Sequence, residues 1–179
     1  MDIFRIKKKP LREAEKTTNS FMNRDLLIRR ATADDVPAIF DLLEPYASQG
    51  IVLSRSRADI LTCIGNFRVA VCCSSVCGCV AVRDFGSNLL EVRSLVVSPA
   101  FHGQGVGRLL VRFVIGELTE RCPSVKWHLF TLTGQPGFFE HLGFKVVSKE
   151  LFPEKIWSDC SKCPKQNCCD ETALLLEPF

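Results

Sequence analysis

The run Leu89-Leu90-Glu91-Val92-Arg93-Ser94-Leu95-Val96-Val97-Ser98-Pro99, followed two residues later by His102-Gly103-Gln104-Gly105-Val106-Gly107-Arg108-Leu109-Leu110, reads as strand, glycine-rich turn and helix. A nearly continuous β-branched and leucine-rich segment suits a buried strand, and Pro99 stops it. Apolar residues then recur at helical spacing at Val106, Leu109, Leu110, Phe113, Val114 and Leu118. Gly103, Gly105 and Gly107 therefore sit at a helix N-terminus. There the unpaired N–H groups from about Gln104 to Arg108 point outward, with the positive end of the helix dipole behind them. Glycine lets a ligand approach the backbone closely. The combination predicts an anion cradle suited to a pyrophosphate.

Spacing separates the nucleotide-binding motifs that use such a cradle. A P-loop needs Gly-x-x-x-x-Gly-Lys-Ser/Thr, which the chain lacks. A dinucleotide fingerprint needs Gly-x-Gly-x-x-Gly early in a βαβ unit with an acid about twenty residues on. Here the pattern is Gly-x-Gly-x-Gly in mid-chain, with no second parallel strand ending in an acid at that distance.

Composition sets the outer limits. The 179 residues suit one domain, with 46% hydrophobic residues to build a core. A net charge of +3, without a basic stripe interleaved with aromatics, argues against nucleic acid as a partner. No apolar run reaches membrane-spanning length, and the N-terminus has no signal-peptide core, so a cytoplasmic protein with no membrane partner is expected. Ten cysteines without an export signal read as reduced thiols or ligands rather than as a disulfide framework.

Residues 1 to 22, with Ile6-Lys7-Lys8-Lys9-Pro10 and a polar stretch to Ser20, show no amphipathic period and are expected to form a flexible tail, Met22 being an alternative start. Residues 23 to 179 form the domain. Leu26 to Arg30 reads as a strand. Thr32 caps a helix that runs through Val36, Ile39, Phe40 and Leu43 toward Tyr46, and a second helix spans Arg57 to Ile64. Arg68 to Cys73 and Val76 to Arg83 form a hairpin around Ser74-Ser75, whose alternation places Cys77 and Cys79 on one face. Val125 to Leu132 is a strand, Gly137 to Leu142 a short helix, and Phe144 to Val147 and Thr172 to Leu176 are strands. This order predicts an α/β (α+β) fold with helices on both faces of a mixed sheet.

The glycine segment resembles the acetyl-CoA-binding motif of the GNAT superfamily of N-acetyltransferases, Gln/Arg-x-x-Gly-x-Gly/Ala after a strand ending Leu-x-Val-x-Pro. Leu95, Val97, Pro99, Gly105 and Gly107 match, and His102 holds the Gln/Arg place. Phe138-Phe139-Glu140-His141-Leu142-Gly143-Phe144 is similar to the family's closing motif, with Phe139 where many members carry a tyrosine that protonates the leaving thiolate. The resemblance implies the GNAT fold, with acetyl-CoA wedged between two splayed strands, here residues 89 to 97 and 125 to 132. The cofactor-binding set it implies is Leu95, Val96, Val97, His102, Gly103, Gln104, Gly105, Val106, Gly107 and Arg108.

A narrower resemblance rests on Ile28-Arg29-Arg30-Ala31-Thr32, Leu53-Ser54-Arg55-Ser56, Glu91-Val92-Arg93-Ser94-Leu95 and the stretch from Lys149 through Glu154-Lys155-Ile156-Trp157-Ser158-Asp159-Cys160. It is to the short, stand-alone bacterial N-acetylglutamate synthases. The function implied is transfer of acetyl from acetyl-CoA to the α-amino group of L-glutamate, or a relative such as glutamine, at the first step of arginine biosynthesis. Two other readings stay open: acetylation of a protein N-terminus, lysine or polyamine, and an acyl-CoA sensor without turnover. The partner implied is a small amino acid, with a homodimer left open.

An α-amino group is protonated at neutral pH and needs a base. Glu91, inside an apolar strand where burial would raise its pKa, is the candidate, as the resemblance also implies. The backbone N–H near Val97 would serve the developing oxyanion if a bulge freed it from the ladder. Leu53 and Arg55, by resemblance, lie in the amino-acid pocket, and Arg55 suits bidentate recognition of a carboxylate. Arg93 and Ser94 complete the candidate substrate-binding set; Arg93 shares a strand face with Glu91 if no bulge intervenes, and either holds substrate or pairs with Glu91. Thr131 and Thr133 are candidate acids. Cys160, Cys163 and Cys168 have three-corner zinc spacing, to be completed by Cys169, Asp170 or His141; an oxidisable thiol pair and plain reduced thiols are the alternatives.

Overall fold

A computed structural model describes residues 26–121, 125–163 and 168–177, so the predicted tail of residues 1 to 22 lies outside the described residues. Seven strands form one mixed sheet: β1 Leu27–Arg30, β2 Phe67–Cys72, β3 Ser75–Asp84, β4 Leu89–Val97, β5 His128–Thr133, β6 Lys145–Val147 and β7 Thr172–Leu176. Their spatial order is β1-β2-β3-β4-β5-β7-β6. All neighbours are antiparallel except β4 and β5. The helices are α1 Val36–Ala47, α2 Arg57–Thr62, α3 Val106–Arg121, α4 Pro136–Glu140 and α5 Pro153–Ser158.

Alternation along the strands divides the core in two. Val80, Val82, Val92, Leu129 and Leu174 meet α3 through Val106, Leu110, Val111 and Val114. On the other face Val69, Cys79, Ala81 and Val96 meet α1 and α2 through Ile39, Leu43 and Ile60. A smaller cluster of Phe130, Phe152 and Ala173 is centred on stacked Phe130 and Phe152 rings 4.0 Å apart. Chain entry is pinned by Arg29, whose guanidinium forks onto Asp35 at 2.6 and 2.8 Å while the Asp35 carboxylate also accepts the Thr32 N–H. Arg30 and Arg68 share Glu117, tying β1 and β2 to α3.

The expected elements are present, with four local differences. The β2–β3 turn is Cys73-Ser74, both at positive φ, one residue earlier than expected. A bulge at Cys77 breaks the alternation, so Cys77 packs toward α3 and Cys79 toward α1 and α2. The strand expected from Val125 begins at His128, and α5 was not anticipated at all.

Candidate active site

Parallel pairing of β4 with β5 is confined to Leu89–Glu91 against His128–Phe130. Beyond it, β5 stays with β7 as far as Thr133, and β4 stays with β3 as far as Val97. The two central strands diverge, as expected, and leave a wedge along the second half of β4. Ser98 N–H donates to the Cys77 carbonyl at 2.8 Å, so alternation turns the Val97 N–H to the opposite edge, toward the wedge. The anticipated bulge lies earlier: Ser94 and Leu95 together face Val80, and Ser94 has φ +52. Departure of β5, not a bulge at Val97, leaves that N–H without a ladder partner.

The glycine turn closes over the end of β4. Gly103 and Gly105 have φ of +72 and +80, the left-handed region that glycine enters without strain, and a side chain at Gly103 would point into open space. At Gly107, in the first turn of α3, a side-chain carbon would lie in ordinary van der Waals contact with Phe138 at 3.5 Å and Val97 at 3.7 Å. The His102 ring reaches back through Nε2 to the Val97 carbonyl at 2.7 Å, which locks the turn to the strand end. His102, Gln104 and Arg108 are exposed around the turn, while Val106 is buried beneath it. Leu95 and Val97 lean on the α3 cluster, and Val96 belongs to the opposite one. The first turn of a helix of 16 residues thus presents its free N–H groups beside the wedge.

A cleft of about 400 Å³ opens on the α1–α2 face, lined among others by Leu53, Arg55, Asp59, Arg83, Arg93 and Asp159. Three of the residues expected to hold the acceptor, Leu53, Arg55 and Arg93, are therefore together. Ser94 is not in the lining; it is buried at the bulge, its carbonyl 3.7 Å from the Cys79 thiol. Arg55 makes no ion pair among the described residues: its Nε is buried without a hydrogen-bond partner, and Nη1 meets only the Cys63 sulfur at 3.9 Å. Burial first, then the charge of Arg93, lowers its pKa. Such a guanidinium is short of an anion.

Arg93 is already engaged. Its Nη1 lies 2.8 Å from Asp159 Oδ2 and 3.4 Å from Glu91 Oε2. Asp159 also accepts from Arg83 at 2.6 Å and from Lys155 at 2.9 Å. Burial alone would raise the Asp159 carboxyl; hydrogen bonds from Lys155 and Arg83, with the charges of Lys155 and Arg93, overturn that and hold it well below the usual carboxylate range. Glu91 is 2% exposed and ion-pairs through Oε1 with Lys155 at 2.7 Å, while its Oε2 has no hydrogen-bond partner. Glu171, just before β7, feels burial first and then the Glu91 charge, against the opposing charge of Lys155, and its carboxyl is pushed up.

Lys155 and Asp159 lie in the stretch that carries the narrower resemblance, but the sequence assigns neither a role in the site. Their signal was the i,i+4 spacing of opposite charges after Pro153, a helix-starting residue. Phe139 is buried, edge-on to Phe138 and Phe144, and has no hydroxyl to give. Of the candidate acids, Thr131 is buried and Thr133 Oγ1 accepts from the Gln135 N–H. Zinc finds no support: among the described residues no three His, Cys, Asp or Glu side chains gather where they would hold a metal, so Cys160, Cys163 and Cys168 do not make a site. Cys169 Sγ instead lies 3.2 Å from Lys149 Nζ. No helix among the described residues is long and apolar enough to cross a membrane.

Residues 64–146 match the family model described as an acetyltransferase (GNAT) domain. An uncharacterised N-acetyltransferase of Chlorobaculum tepidum is 41% identical over 151 residues, covering 84% of this chain and 96% of the relative. The amino-acid acetyltransferase of Mycobacterium tuberculosis is 31% identical over 137 residues, covering 72% of this chain and 76% of the relative. Among solved structures, the N-acetylglutamate synthase of Neisseria gonorrhoeae complexed with coenzyme A and N-acetyl-glutamate superposes with a TM-score of 0.74 at 28% identity, over 86% of this chain. This chain spans 35% of that longer protein.

Proposed function

The chain belongs to the GNAT family of N-acetyltransferases, and from that premise we propose that it transfers acetyl from acetyl-CoA to the α-amino group of a free amino acid, L-glutamate or its close relative L-glutamine, at the first step of arginine biosynthesis. The observation that carries the acceptor class is Arg55: a partly buried guanidinium in the cleft wall with an unsatisfied Nε and no ion pair among the described residues. An α-carboxylate supplies the missing partner with two parallel hydrogen bonds. A peptide or polyamine acceptor calls for an acidic groove, and this cleft is lined by three arginines against two aspartates. The similarity to proteins named for amino-acid acetylation points the same way.

The positive-φ glycines, the open space at Gly103, the free first-turn N–H groups of α3 and the wedge beside β4 fit a pyrophosphate and the extended arm that follows it. When bound, acetyl-CoA supplies an acyl group activated as a thioester. In this reading Glu91 accepts the proton that the acceptor ammonium must lose, directly or through water, and Arg55 holds the acceptor carboxylate so that the freed amine faces the wedge. The Val97 N–H donates to the charge that develops on the acyl oxygen. An N–C bond forms, the C–S bond breaks, the nitrogen gives up its second proton, and the sulfur takes one up.

Incubation with acetyl-CoA and single acceptors, read as release of free thiol, tests the proposal. Turnover with glutamate or glutamine is expected; turnover with polyamines or lysine in their place would overturn it.

A further inference from the structure

We propose that Lys155 is a positioning residue for Glu91: it holds one carboxylate oxygen and leaves the other free to accept the substrate's proton. The inference rests on Glu91 being the base. Lys155 is 6% exposed, and its ammonium lies between Glu91 Oε1 at 2.7 Å and Asp159 Oδ2 at 2.9 Å. Asp159 is held in turn by Arg83 and Arg93. The ammonium is thus anchored from behind.

The two Glu91 oxygens are unequal. Oε1 is taken by the ammonium, whereas Oε2 is buried without a hydrogen-bond partner, the Arg93 Nη1 standing off at 3.4 Å. A buried acceptor left open in an otherwise saturated cluster costs stability and fits a group kept vacant for a reacting proton. The charged groups that act on this carboxylate are Lys155 and Asp159 from α5 and its end, Arg93 from β4 itself, Arg55 from the loop before α2, and Glu171 from the approach to β7. Lys155 is the cation nearest to this carboxylate, 2.7 Å from Oε1, whereas Arg93 stands 3.4 Å from Oε2.

The test is made on the full chain with Lys155→Met, which removes the charge and keeps the length, and Lys155→Arg, which keeps the charge. The Glu91 carboxyl is titrated by ¹³C NMR without acetyl-CoA, its signal assigned by its loss in Glu91→Gln. The pH profile of kcat/KM for the acceptor is recorded in parallel. In Lys155→Met the titration midpoint and the acidic limb of the profile should both move to higher pH. Lys155→Arg should hold both near wild type, and the KM for acetyl-CoA should stay unchanged. If Lys155→Met does not fold, Lys155→Gln, which keeps a donor but no charge, is read in the same way. An unmoved midpoint with an even loss of rate at all pH values would make Lys155 merely structural and overturn the proposal. If the midpoint moves but Glu91→Gln keeps a wild-type rate and profile, the base assignment fails, and the positioning role with it.

Discussion

Arg55 and Glu91 present opposite states of the same problem, a charge taken out of water. Arg55 is a cation without an ion-pair partner among the described residues, at the cleft wall, whereas Glu91 is a carboxyl group seated against a lysine behind it. The account expects Arg55→Ala to raise the acceptor KM by roughly 10- to 100-fold, the worth of a charge-assisted bidentate contact, with the KM for acetyl-CoA nearly unchanged. Arg55→Lys should recover little of the loss, because a point charge does not reproduce the planar fork. Steady-state kinetics with each substrate varied in turn checks both. For Glu91→Gln, kcat should fall on the order of 10² to 10⁴ while calorimetry finds acetyl-CoA binding retained. The two arginines and the glutamate were legible in the sequence because chemistry demands those residue types. The division of labour between Arg55 and Arg93 was not, since it depends on Asp159 reaching Arg93 from another element 66 residues away.

At the scale of elements, the glycine turn and α5 make separable predictions. Gly105 sits at φ +80, so Gly105→Val strains the turn and places a branched side chain where the phosphate would approach. Acetyl-CoA affinity measured by calorimetry should be lost, whereas Gly116→Ala, inside the α3 helix that follows the turn and with open space around it, should bind normally and melt at a slightly higher temperature. Asp159 gathers three cations at the end of α5, and Asp159→Asn should cost roughly 3 kcal/mol near neutral pH by removing the anion they share. Its folded carboxyl titrates below the unfolded value, so the stabilisation is present above about pH 4 and fades as pH falls below it. Denaturant melts should therefore show the two proteins converging toward acid; a constant difference would mean that the ion pairs are not the source. The β4 and β7 limits were legible because long apolar runs declare themselves. The six residues of α5 are too few to show a period, and the turn at Cys73-Ser74 takes up positive φ without the Asn-Gly that advertises it.

For the whole molecule, the mixed sheet does the assembling. Splitting of β4 from β5 makes the wedge, α3 brings its N-terminus to the wedge, and the cleft opens on the opposite face around Arg55. The order of elements and the glycine turn were readable from periodicity and turn residues, whereas the meeting of Arg55 and Arg93 in one cleft was implied only by the family resemblance. What escaped was long-range: the ionic cluster draws on β3, β4 and α5, and no local pattern encodes which of its members ends up without a partner. The central claim is that the acceptor is a free amino acid held by its α-carboxylate. Its most direct test is the initial rate of thiol release from acetyl-CoA with L-glutamate and L-glutamine, set against their α-amides and a peptide beginning with the same residue. Rapid turnover of the free acids and slow turnover of the amides and the peptide is predicted; amides or peptide acetylated as fast as the free amino acids would contradict the account.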